Sequence, residues 1–124
     1  MPANQYNDSE ALTAYIIANY RHLMTPMEGR ASLYLLTTAK DQAYGSRSEI
    51  TERYQRLHGP LPPEAKQLLA DGPALFHERI RNRILSEHAD KVVLNRCEKC
   101  GSLCRTPLAC LCPVCNHTWY ERRH

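Results

Sequence analysis

Residues able to do chemistry concentrate in one short stretch of this 124-residue chain. All six cysteines lie between Cys97 and Cys115, and none occurs in the first 96 residues. Four of them form two Cys-x-x-Cys pairs, Cys97-Glu-Lys-Cys100 and Cys112-Pro-Val-Cys115, with eleven residues between the pairs. Each pair presents both sulfurs from one tight turn, and amides after its first cysteine can donate hydrogen bonds to the thiolates. Two such half-sites close a tetrahedron around one Zn²⁺ ion at about 2.3 Å per Zn–S bond. Gly101 follows the first pair, where the chain often needs a positive φ. Asn116 follows the second, and asparagine is the non-glycine residue that best tolerates that conformation. Metal-free thiols and disulfides within the tail are the competing readings. Clustering of the cysteines in a chain whose polar first ten residues form no signal peptide favours metal.

The arrangement resembles the zinc ribbon over residues 92–122, in pair spacing, pair separation, Gly101 and the Cys-Pro-x-Cys sequence. That resemblance implies two turns at the tips of short β-hairpins, around one structural zinc held by Cys97, Cys100, Cys112 and Cys115. Asn95-Arg-Cys97, Arg105-Thr-Pro107 and His117-Thr-Trp119 also look like the tails of small bacterial zinc-ribbon proteins, which adds fold and not function. Cys104 and Cys110 fit neither a binuclear zinc–cysteine cluster nor the usual iron–sulfur spacings. They read as small apolar fillers, with a ligand exchange or redox role for Cys104 as the alternative. His117 reads as a hydrogen-bonding neighbour of the second turn. Trp119 reads as packing on the body or the ribbon, or as a contact residue.

Four thiolates fill a zinc ion and leave no position for water, so the metal is not catalytic on this reading. His77-Glu78-Arg-Ile-Arg81 begins like the His-Glu-x-x-His zinc helix but has Arg81 where the second histidine is required. The deaminase signature fails because the proline stands inside the second pair. The chain is therefore read as non-enzymatic, with no small-molecule substrate.

The elements that must hold this site are helical. Leu12, Tyr15, Ile16, Tyr20 and Leu23 recur at helical spacing and predict a first helix from Ser9 to about Met24, capped by Asp8 or Ser9. A second helix opens at Pro26, carries Met27, Ala31, Tyr34, Leu35 and Ala39 inward, and ends near Gly45. Ser46 or Ser48 caps a third, with Glu49 in capping-box position to Ser46, ending at Gly59-Pro60. A short helix follows from Pro62 or Pro63 through Leu69. The last helix starts at Pro73 with Leu75, Phe76, Ile80, Ile84 and Leu85 inward. Val92-Val93-Leu94 then reads as a strand entering the metal site. The expected fold is mainly α: a small helical bundle over residues 1–90 and a β zinc ribbon over residues 91–124.

The charge is uneven. Residues 1–90 hold ten Lys/Arg and eleven Asp/Glu, net −1, while residues 91–124 hold six and two, net +4. A Zn²⁺ with four thiolates adds −2 and weakens the pull on an anionic partner. A protein partner is the favoured reading, on the near-neutral body and seven tyrosines. The alternative is DNA or RNA bound through Arg96, Lys99, Arg105, Arg122 and Arg123, with Trp119 as a further contact. No apolar run approaches the roughly 18–20 residues that span a bilayer. A cytoplasmic protein is expected.

Overall fold

The computed structural model describes residues 6–120, in which helix follows helix as far as Lys91. They are α1 (Asp8–Asn19), α2 (Pro26–Tyr44), α3 (Glu49–His58), α4 (Pro63–Leu68) and α5 (Pro73–Glu87), with 3₁₀ turns at Arg21–Leu23 and Ala89–Lys91. Two compact units result. One is the continuous segment Leu23–Ile80, and the other combines Met1–His22 with Arg81–His124.

In the continuous unit, α2 begins with a capping box that the sequence reading did not identify. Thr25 Oγ1 accepts from the Glu28 amide at 3.1 Å, and Glu28 Oε1 accepts from the Thr25 amide at 2.9 Å. The helix ends on Gly45 at φ 65°, as expected from the sequence. α2 packs against α3 and α4. Arg30 secures the turn before α4 by donating to the carbonyls of Gly59 and Pro60 at 3.0 and 3.1 Å.

The start of α3 departs from expectation. Ser48 occupies the N-cap, but its hydroxyl donates to Glu52 Oε2 at 2.6 Å and caps no backbone amide, and no capping box forms at Ser46. Buried Asp41, on α2, takes that role. It accepts from the amides of Ile50 (2.7 Å) and Thr51 (3.0 Å) and from the hydroxyls of Thr51 (2.6 Å) and Ser46 (2.7 Å). Burial opposes ionisation, but the Thr51 and Ser46 hydroxyls and the two amides outweigh it and hold the carboxyl at about 2. Facing Asp41 toward α3 turns Ala39, roughly 160° away round the helix, to solvent, so Ala39 is exposed and not inward. On α5, Phe76, Ile80 and Ile84 are buried at four-residue steps, which leaves Leu75 outside that stripe and 43% exposed.

In the discontinuous unit, Asn7 caps α1 by accepting from the Glu10 amide at 3.1 Å, in place of Asp8 or Ser9. The helix stops at Asn19, five residues before Met24, and tightens into the 3₁₀ turn. Arg81 of α5 donates to the hydroxyls of Ser9 (2.9 Å) and Thr13 (3.0 Å) on α1.

The expected strand over residues 92–94 does not form, and the described residues contain no strand or sheet. Tyrosine hydroxyls occupy the backbone groups that a strand would pair. Tyr15 Oη donates to the Val93 carbonyl and accepts from the Asn95 amide at 3.3 Å, while Tyr20 Oη accepts from the Val93 amide at 2.9 Å. Pairing there is limited to two isolated antiparallel bridges, Arg96 with Leu103 and Leu111 with Thr118.

Candidate metal centre

Each bridge closes a turn on a Cys-x-x-Cys pair, and the two turns repeat one hydrogen-bond pattern. The Cys97 amide donates to the Ser102 carbonyl (2.8 Å), and the Gly101 amide donates back to the Cys97 carbonyl (2.9 Å). In the second turn the Cys112 amide donates to the His117 carbonyl and the Asn116 amide to the Cys112 carbonyl, both at 2.9 Å. Gly101 (φ 80°) and Asn116 (φ 64°) adopt the left-handed conformation the spacing calls for.

The turns bring the four sulfurs of Cys97, Cys100, Cys112 and Cys115 within 4.8 Å of one another. The Cys97–Cys115 and Cys100–Cys112 sulfurs are 3.6 and 3.5 Å apart. Metal–sulfur bonds of about 2.3 Å require a tetrahedron edge of about 3.8 Å, so these donors fit a tetrahedral cation. Backbone amides point at the sulfurs: Lys99 and Cys100 donate to Cys97 at 3.3 and 3.5 Å, and Cys115 donates to Cys112 at 3.5 Å.

Titration follows this geometry. Burial opposes ionisation of Cys97, but the Cys100 and Lys99 amides lower its pKa overall. The Ser102 hydroxyl and amide pull Cys100 down to about 6. The His117 amide favours ionised Cys115, yet burial and the neighbouring sulfurs of Cys100, Cys97 and Cys112 push it up to about 12. Four sulfurs this close carry full negative charge together only around a cation, which is the requirement of a metal centre.

Contacts around the turns fix their orientation. Arg96 reaches away from the sulfurs to Asp8 on α1 at 2.8 Å and to the Gly101 carbonyl at 3.2 Å. That guanidinium, with the Tyr6 hydroxyl, lowers the pKa of Asp8. Tyr6 Oη accepts from the Leu103 amide at 3.0 Å. Asn95 Nδ2 donates to the carbonyls of Thr106 and Ala109, both at 2.9 Å, and so gathers the segment between the two pairs. Glu98 of the first turn meets His117 Nε2 of the second at 2.9 Å. The Trp119 ring lies 5.6 Å from that of His117 and lines a shallow depression with Asn95, Arg96 and Glu98.

Of the remaining sequence candidates, Lys99 and Arg105 are exposed, and Arg122 and Arg123 lie outside the described residues. Cys104 and Cys110 are buried and stand apart from the group of four sulfurs. Burial pushes the Cys104 thiol up, as for a packed side chain. Asn95, Tyr6, Tyr15 and Tyr20 were not identified from sequence as supports of the site. Their partners lie far away in the chain or are main-chain atoms, so local spacing carries no signal for them. No protein-family model, curated protein or solved structure matches this chain.

Proposed function

We propose that residues 91–124 form a zinc ribbon whose single Zn²⁺ is structural, and that the protein is a non-catalytic module that binds another protein. The observation that carries the metal assignment is the set of four sulfurs within 4.8 Å, presented by two matched turns with amides aimed at them. An all-cysteine tetrahedral set is the usual donor set of structural zinc and leaves no coordination position for substrate. For the partner, the fate of Arg96 supports protein over nucleic acid. Its guanidinium is engaged by Asp8 and Gly101, which removes one of the cations a phosphate backbone would use.

Metal content of protein purified without added metal, by native and denaturing mass spectrometry, tests the assignment. One zinc per chain, lost on denaturation, is the expected result. Two zincs, iron or no metal would sink it. Oligonucleotide binding that falls steeply with salt would overturn the choice of partner.

A further inference from the structure

A groove of about 430 Å³ lies between α1 and the cysteine-rich segment. Ala11, Ala14 and Ala18 line it from α1, and Pro113 and Val114, inside the second Cys-x-x-Cys turn, line it from the other element. The alanines are spaced three and four apart, so they share one helix face over about 10 Å. Their methyl groups leave room for a partner's larger side chains to approach the backbone of α1. Pro113 and Val114 are held between two metal-binding cysteines, so their side of the groove is ordered before any partner arrives. Order of that kind lowers the entropic cost of binding.

One cation stands at this otherwise apolar site. Arg105 lines the groove, and its carbonyl is fixed by Asn19 Nδ2 of α1 at 2.9 Å. Among the described residues its guanidinium makes no ion pair or hydrogen bond. An elongated apolar face with one unpaired cation is complementary to an amphipathic segment whose apolar stripe sits next to a carboxylate.

We propose that this groove docks an acidic amphipathic segment of a partner protein. The inference rests on the reading of the protein as an interaction module and gives that reading a place and a partner chemistry. The test is selection of a displayed library of random 16-residue peptides on the zinc-loaded full chain, followed by fluorescence anisotropy of the enriched peptides. Enriched sequences are expected to carry apolar residues three and four apart beside Asp or Glu. Ala14→Glu and Ala18→Glu change exposed helix positions, and each should weaken binding more than tenfold. Arg105→Gln should weaken it about two- to fivefold, the range of an exposed ion pair. Selection on Arg105→Glu should replace the acidic residue with Lys or Arg. Enriched peptides that ignore all these substitutions overturn the groove and leave the interaction reading standing. No enrichment, alongside salt-steep oligonucleotide binding, overturns both. Self-association abolished by Ala14→Glu would assign the groove to a second copy of this chain and overturn the proposal.

Discussion

Gly101 and Asn116 occupy the same place in their turns with the same backbone hand, but they meet its cost differently. Apart from Gly101 itself and its two chain neighbours, no atom lies within 4 Å of where a Cβ on Gly101 would sit, so only the positive φ opposes substitution there. A side chain at such a φ costs enough to weaken metal binding about tenfold. Gly101→Ala should therefore lower zinc affinity by about that factor in a competition titration with a chelator. Asn116→Gly should leave affinity unchanged or raise it. Equal losses from the two substitutions would show that backbone conformation is not what these positions contribute. Asp41 supports a prediction about pH. Its carboxyl titrates near 2 in the folded chain against an ordinary value of 3.8, so the stability it adds is complete above about pH 4 and is lost as pH falls toward 2. Asp41→Asn should lower the melting temperature at pH 7, followed by far-UV circular dichroism, and the gap from the parent should close near pH 2. A constant gap would contradict the account of Asp41 as an ionised acceptor at the start of α3.

At the scale of elements, the segment leading into the metal site is held by hydroxyls where a sheet ladder was expected. Tyr15→Phe removes the donor to the Val93 carbonyl and the acceptor of the Asn95 amide while keeping the ring. The expected cost is about 1–3 kcal/mol in chemical denaturation, the range for a lost buried hydrogen bond. A cost near zero would mean that water or Tyr20 takes over. This is also where sequence reading reached its limit. Cys97 to Cys100 and Cys112 to Cys115 were legible because a metal turn is built from residues three apart, and spacing records that directly. Helix starts at Pro26 and Pro73 and the stop at Gly45 were legible for the same reason, since each acts on its own neighbours. The strand expected over 92–94 was not corrected by any local signal, because what prevents it is a pair of tyrosines more than 70 residues earlier. Likewise the Ser46–Glu49 capping box is a valid local pattern that lost to Asp41, an acceptor from a different helix.

On the scale of the whole molecule, α1 and the cysteine turns belong to one unit although the chain between them forms another. Tyr6, Asp8, Tyr15, Asn19 and Tyr20 all bond to residues 93–105. Stripping the metal with a chelator should therefore raise hydrogen exchange in Asp8–Asn19 as well as in the turns, while Pro26–Leu68 keeps most of its protection. Unchanged protection in α1 would show that the tail opens by itself. The same interleaving constrains synthesis. Asn19 precedes Cys115 by 96 residues, which at about 5–20 residues per second is roughly 5–20 s of translation. For most of that time α1 is made but its partners among residues 93–105 are not. The continuous unit can fold as it emerges, whereas α1 must wait with Tyr15 and Ile16 uncovered. On the ribosome, α1 is thus made before the continuous unit yet secured after it, and a chaperone that shields exposed apolar side chains would find its substrate there.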